Sequence, residues 1–415
     1  MGLEGLEQYE QALDRILQQV PALAALAEET VQLQQAAGRV LATDVRASQA
    51  FPALPRASMD GFAVRASDVS GAGPQTPRPV KLLGTLTAGC GQQLRVEPGF
   101  CVRIMTGVPL PAGSDAVVPQ ELARLDGETV WIQRAVQPGA FTFPAGEDAA
   151  AGEVVIPAGS CLTPGQISLL AALGVTRVPV RVRPVIALAA TGDEVVPVEQ
   201  AELAPGQVRN SNAYGVAAQL EAWGACPRLF GIVADDRAAL QKTALAMASD
   251  ASALVFTGGM SVGLKDLVRP AMEALGVRWL VHRVAIRPGR PFCFGLWDGK
   301  PVFGLPGTPG GAMVSAELFI RPFLAAWLGR RWHPPETTGR LAAPLRMTPG
   351  RLRLVRARAW LQADGQWTAE PVPMQSSASV RSMADANALV MIPPEVSELP
   401  AGAPVRIRLF ADLPL

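Results

Sequence analysis

Val185-Ile186-Ala187-Leu188-Ala189-Ala190 followed by Thr191-Gly192-Asp193-Glu194 decides the architecture. Six apolar residues read as a strand, and the glycine-bearing tetrapeptide stands where that strand opens into a loop. The same succession recurs twice. Ala253-Leu254-Val255-Phe256 precedes Thr257-Gly258-Gly259-Met260-Ser261-Val262-Gly263, and Val302-Phe303-Gly304 precedes Leu305-Pro306-Gly307-Thr308-Pro309. A fourth block, Arg287-Pro288-Gly289-Arg290-Pro291, stands between them at the expected end of another strand. In an open α/β sheet, loops leaving the carboxyl ends of parallel strands form the ligand crevice, because turn glycines let backbone N–H groups approach an anion. The expected ligand is therefore phosphorylated or an oxyanion.

Working outward, helices are expected over 213–223 after the Asn210-Ser211-Asn212 cap, after Asp235-Asp236, after Asp266 and over 309–328, with a further strand over 228–233. Strands alternating with helices imply right-handed crossovers and a doubly wound parallel sheet. Beyond Gly329, patches such as Leu352-Arg353-Leu354-Val355-Arg356 and Val405-Arg406-Ile407-Arg408-Leu409 predict a small C-terminal β-barrel or sandwich. Upstream, helices are expected over 6–27 and 31–42, short apolar runs between Pro and Gly turns over 51–136 suggest a compact β module, and 164–173 reads as a helix. The fold class is α/β multidomain: a doubly wound parallel-sheet domain with an inserted β module, an N-terminal mixed α/β segment and a C-terminal β-barrel-like domain. The boundaries are 1–45 plus 139–180 for an elongated mixed domain, 46–138 for the inserted β domain, 181–329 for the α/β domain and 330–415 for the C-terminal β domain.

Lys plus Arg total 37 against Asp plus Glu 36, so the chain lacks the global basic field that nonspecific nucleic-acid binding requires, and any cationic site must be local. Five widely spaced cysteines argue against a disulfide framework or zinc module and fit a reducing cytoplasm. The two histidines, His282 and His333, have no ligand-like neighbours, which disfavours a histidine metal site or triad. The start carries no signal-peptide pattern, and the apolar segment from Gly311 to Leu328 contains Glu317, Arg321 and Pro322, so no membrane span is expected.

The chain resembles the molybdopterin molybdenumtransferases, the family of the MoeA proteins and the E domain of gephyrin. The likeness is carried by the four blocks, by Ser58-Met59-Asp60-Gly61-Phe62-Ala63, by Ile104-Met105-Thr106-Gly107 with Pro109 to Val118, and by Gly146-Glu147-Asp148, in order over nearly the whole length. The resemblance implies the last step of molybdenum cofactor synthesis: adenylylated molybdopterin is bound, molybdate is placed on its dithiolene and AMP leaves, with Mg2+ as cofactor. It implies a cytoplasmic homodimer, with other molybdenum cofactor biosynthesis proteins and molybdoenzyme apoproteins as further partners.

Residue by residue, Thr257, Gly258, Gly259, Ser261 and Gly263 can offer N–H groups and hydroxyls to a phosphate, with Pro306 and Pro309 shaping the adjoining turn. The alternative for such a Gly-Gly turn is a tight strand-to-helix connection. Glu194, Asp236 and Asp266 are the candidate metal-holding and catalytic carboxylates; Asp235 and Asp236 have helix capping as their alternative, favoured for Asp235. Arg287 and Arg290 can point two cations at one dianion where the family usually carries lysine. By resemblance, Arg356 and Ser376 or Ser377 complete the molybdate pocket, although the usual glycine beside the serine is missing. Leu264 replaces a common glutamate, and Thr308 a common asparagine. Asp60 and Thr106 match catalytic residues that reach the cleft from the second subunit; turn capping and a backbone bond before Gly107 are their local alternatives. Two other functions remain open, a molybdopterin adenylyltransferase and a noncatalytic gephyrin-like scaffold.

Overall fold

The computed structural model describes residues 6–23, 25–89, 93–260 and 266–410. The expected substrate residues Ser261 and Gly263, together with Leu264, lie outside the described residues. Two compact units are formed, one from Met1–Ala42, Gly159–Thr163 and Arg177–Leu415, the other from Thr43–Ala158 and Pro164–Thr176. This divides the chain differently from the sequence boundaries, because 139–158 fall in the unit of the β module.

That smaller unit is built on a six-stranded sheet ordered Ala116–Pro119, Gly61–Val64, Phe100–Ile104, Arg78–Leu86, Thr129–Ile132 and Ala123–Asp126. Alternation along the strands sends Phe62 and Val64 into one apolar layer and Ala63 into another, so both faces are covered. The helix Pro164–Ala172 forms as expected: proline at its first position has no N–H to leave unpaired, and Gly174 takes φ +75° just beyond its end.

In the larger unit, the N-terminal helix spans Tyr9–Leu17, shorter than expected, and the chain passes into a 3-10 turn at Val20–Ala22 because Pro21 cannot donate a helical hydrogen bond. The helix expected over 31–42 is not formed. Glu28–Gln32 is a strand, paired antiparallel with Arg177–Arg181, and Gly38 at φ +72° breaks the segment beyond it. A distant ladder has overridden a weak local helical pattern.

The α/β region runs β1 (Val185–Thr191), α1 (Ser211–Ala222), β2 (Cys226–Val233), α2 (Arg237–Asp250), β3 (Ala253–Thr257), α3 (Val268–Ala274), β4 (Arg278–His282), β5 (Ile286–Arg287), β6 (Cys293–Trp297), β7 (Lys300–Leu305), α4 (Pro309–Ser315) and α5 (Arg321–Trp327). The sheet order is β2-β1-β3-β7-β6-β4. The first four strands are parallel; β6 runs antiparallel to β7, and β4, antiparallel to β6, returns to the direction of the first four. Strand β1 is buried through Ile186–Thr191, as a strand covered on both faces must be. Its even-numbered side chains Ile186, Leu188 and Ala190 pack with Leu220 of α1, Phe323 of α5 and the N-terminal Tyr9 and Ile16; Ala187 and Ala189 pack with Leu240 and Met247 of α2 and Met272 of α3. The winding is therefore double. Between α4 and α5 the expected single helix passes through a π turn, Ala316–Ile320, adjoining Pro322.

The C-terminal strands β8 (Glu336–Leu341), β9 (Leu352–Leu361), β10 (Trp367–Pro371), β11 (Ala388–Ile392) and β12 (Pro404–Leu409) close into a five-stranded barrel in the order β9-β10-β8-β12-β11, with β11 pairing back to β9. Val355, Ala357, Val390 and Ile407 fill it. The block at Arg287 does not leave the parallel sheet; β5 pairs with β9 of the barrel. This pairing sets the arginine turn between sheet and barrel.

Candidate active site

Three loops leave the carboxyl ends of β1, β3 and β7 side by side, and the third opens directly into α4. Gly258 holds φ +99°, and a Cβ there would lie 2.6 Å from the Thr191 carbonyl oxygen, so glycine is required for the loops to approach. The Gly258 N–H donates to the Leu305 carbonyl at 3.0 Å, tying β3 to β7. Around these ends lies a chamber of about 480 Å³, lined by Thr191, Glu194, Asn212, Thr257, Thr308, Pro309 and apolar residues including Leu203 and Val208. Asn212 Nδ2 donates to the Gly307 carbonyl at 2.7 Å. The Asn212 Oδ1 and Thr257 Oγ1 atoms are buried without a hydrogen-bond partner among the described residues. Unpaired buried polar atoms are costly, so a water or a polar ligand group bonding there would relieve them.

A second chamber of about 980 Å³ shares Glu194, Gly307 and Thr308 with the first. It gathers Arg287, Arg290, Arg356, Ser376, Ser377 and Pro306, all expected, and adds Arg346, Arg351, Arg353 and Gln375. Arg287 and Arg290 flank a turn in which Gly289 sits at φ +113°, where a Cβ would lie 2.7 Å from Ser315 Oγ. Arg356 is 1% exposed. Its Nε donates to Ser382 Oγ at 3.3 Å and its Nη2 to the Ser376 carbonyl at 3.0 Å, with no carboxylate partner among the described residues. Burial and then the Arg353 charge push its pKa down to about 10. Arg351 and Arg353 are also held below the ordinary arginine value, by burial first and then by neighbouring guanidiniums, Arg290 and Arg287 on Arg351 and Arg287 and Arg351 on Arg353. Ser377 is tied in through its carbonyl, which accepts from the Gly310 N–H at 2.9 Å.

The expected carboxylates are dispersed. Glu194 is exposed on the rim shared by the chambers and folds back over Gly192. Asp236 Oδ1 accepts from the Ala239 N–H at 2.8 Å and caps α2, so the cap is Asp236 rather than Asp235. Asp266 is half-buried just ahead of α3. Among the described residues, no three His, Cys, Asp or Glu side chains gather closely enough to hold a metal ion, so these carboxylates do not form a ready cage. In the other unit, Asp60 and Thr106 meet: Thr106 N–H and Oγ1–H donate to Asp60 Oδ1 at 2.7 and 2.8 Å. These two bonds hold the Asp60 carboxyl below its ordinary value.

Three consecutive family profiles cover the chain: "MoeA N-terminal region (domain I and II)" over 7–174, "Probable molybdopterin binding domain" over 187–326 and "MoeA C-terminal region (domain IV)" over 338–410. The chain is 36% identical over 397 residues to the molybdopterin molybdenumtransferase of Bacillus subtilis, covering 92% of this chain and 90% of the relative. It belongs to the molybdopterin molybdenumtransferase family. The family relative from Synechococcus elongatus is 33% identical, covering 96% of this chain and 98% of its own. The crystal structure of a molybdopterin biosynthesis MoeA protein from Pyrococcus horikoshii superposes with a TM-score of 0.85 at 27% identity, over 97% of this chain and all of that one. The chain is thus a transferase of molybdenum cofactor biosynthesis, and whole-length agreement with molybdenumtransferases favours that activity over the adenylyltransferase alternative. Missed in the sequence were Asn212, Arg351 and Arg353. Asn212 belongs to the cap triplet and falls in the first turn of α1, while the arginines belong to an alternating pattern that reads as barrel surface.

Proposed function

We propose that the two chambers divide one substrate pair: adenylylated molybdopterin bonds along Thr191, Asn212, Thr257 and Gly258, and molybdate binds among Arg287, Arg290, Arg356 and the Ser376–Ser377 backbone. Molybdate is placed on the dithiolene, water cleaves the phosphoanhydride and AMP leaves. The observation that carries this reading is the joining of a largely apolar chamber bearing orphaned polar atoms to an arginine-lined one through Glu194, Gly307 and Thr308. The first suits a ring-bearing ligand, the second a compact dianion.

Mg2+ dependence is part of the proposal. Mg2+ keeps several waters and is commonly held by one or two carboxylates plus substrate phosphates, so an all-protein cage is unnecessary. Glu194 on the chamber rim fits such a role, with Asp266 and Asp236 as the other donors, Asp236 through the oxygen not engaged in capping. The ion would neutralise charge at the phosphoanhydride. We further assign Asp60 and Thr106 to the cleft of the second subunit in a homodimer, by their match to the family pattern. A cytoplasmic setting is supported by the free state of Cys101, Cys161, Cys226 and Cys293, and no helix among the described residues is long and apolar enough to cross a membrane. Hand-over to other biosynthetic proteins or apoproteins belongs to the same reading.

AMP release from adenylylated molybdopterin, measured with and without molybdate and with and without Mg2+, tests it. Release that requires both is expected; release indifferent to molybdate would overturn the molybdate-coupled step.

A further inference from the structure

The oxyanion chamber is over-supplied with cations. Arg287, Arg290, Arg351, Arg353 and Arg356 line it against one acidic lining residue, Glu194, while the sixth arginine, Arg346, pairs with Glu398 at 2.9 Å. The crowding is imposed by backbone pairing: in the parallel β5–β9 ladder Ile286 stands opposite Leu352 and Arg287 opposite Arg353. Register partners in a sheet project to the same face, and like charges placed directly opposite repel. Arg351, in the bend just before β9, lines the same chamber. Arg351 and Arg353 make no ion pair with a carboxylate among the described residues, and each is perturbed by its guanidinium neighbours. A fold that sets guanidiniums against one another across a ladder, in a cavity, is arranged for an anion between them.

We propose that Arg351 and Arg353 are charge-selectivity residues, Arg353 held opposite Arg287 by the β5–β9 register and Arg351 gathered with Arg287 and Arg290 in the same chamber, so that the chamber takes a tetrahedral dianion in preference to a monoanion of the same shape. This rests on the reading of the arginine chamber as the oxyanion site. A guanidinium at a given distance stabilises a dianion twice as much as a monoanion, whereas hydrogen-bond geometry and size do not distinguish them in this way. Removing two charges therefore weakens dianion binding more than monoanion binding.

The test is calorimetric titration of the full-length protein with molybdate and, separately, with perrhenate, a tetrahedral monoanion. Arg351→Gln/Arg353→Gln is expected to lose about tenfold or more in molybdate affinity and about threefold in perrhenate affinity, as the Coulomb difference requires. Arg353→Lys, which keeps the charge, is expected to preserve the wild-type ratio. Equal loss for both anions, or an unchanged ratio, overturns the proposal; should the double variant fold poorly, single Arg351→Gln against Arg353→Lys reads the same ratio. Arg287→Gln/Arg290→Gln separates the two levels. If that variant binds molybdate like wild type, the chamber is not the oxyanion site; if it loses binding while Arg351→Gln/Arg353→Gln keeps the ratio, only the selectivity assignment fails.

Discussion

Replacing Arg356 with methionine separates binding from folding. The guanidinium is 1% exposed, hydrogen-bonded to Ser382 Oγ and the Ser376 carbonyl, and unmatched by a carboxylate among the described residues. Holding its pKa at about 10, below the ordinary arginine value, corresponds to a folding cost of about 3 kcal/mol while the group stays charged. Because the folded value lies below the unfolded one, that cost is present in full below about 10 and is relieved as pH rises through it. Methionine removes the cost but gives up two charge-assisted hydrogen bonds at about 1.5–3 kcal/mol each. The net is a loss of about 0–3 kcal/mol, so the variant should melt at or somewhat below the wild type. Molybdate at a hundredfold excess over its dissociation constant should stabilise the wild type by about 2.7 kcal/mol and the variant by far less. Scanning calorimetry at pH 7, with and without molybdate, measures both quantities. A variant that molybdate still stabilises fully would refute the assignment of Arg356 as a buried charge awaiting an anion.

Four further outcomes are expected. Gly258→Ala forces a side chain into φ +99° and a Cβ to within 2.6 Å of the Thr191 carbonyl oxygen, so urea unfolding should show a loss of about 1–3 kcal/mol and the KM for adenylylated molybdopterin should rise. Thr106→Val removes the hydroxyl donor to Asp60 and should move the Asp60 carboxyl pKa upward in an NMR titration; no movement would show that the 2.8 Å bond is not made in solution. Asp266→Asn should retain the fold by circular dichroism yet lose Mg2+-dependent AMP release, and undiminished release would remove Asp266 from the metal assignment. Mixed Asp60→Ala and Asp266→Ala subunits should recover part of the activity each lacks alone, since one cleft of each mixed dimer is then complete; confirmed exchange without recovery argues against a shared cleft.

The α/β region was legible because its signals are local. Asn210 and Asp236 cap their helices through their own side chains, Gly224 reverses the chain after α1, and the apolar runs at Val185, Ala253 and Val302 do become adjacent parallel strands. Where the reading failed, a distant partner decided the outcome. Val31 lies in a strand because Val178 stands opposite it, and no local period encodes that pairing. The arginine chamber has the same origin. Arg287 and Arg290 were recognisable from their Pro-Gly turn, but Arg351 and Arg353 sit in an alternating stretch whose polar positions ordinarily face water. Only the register between Ile286–Arg287 and Leu352–Arg353, more than sixty residues apart in the chain, converts that alternation into opposed guanidiniums. The local clue is the density of arginine at 346, 351, 353, 356 and 358: Arg346 and Arg358 each meet a carboxylate, whereas 351, 353 and 356 are left to the cavity. Cations that a fold holds together without acidic partners cost stability in the empty protein and regain it when an anion arrives, so on the proposed reading the same residues that weaken the resting barrel edge would make oxyanion capture favourable.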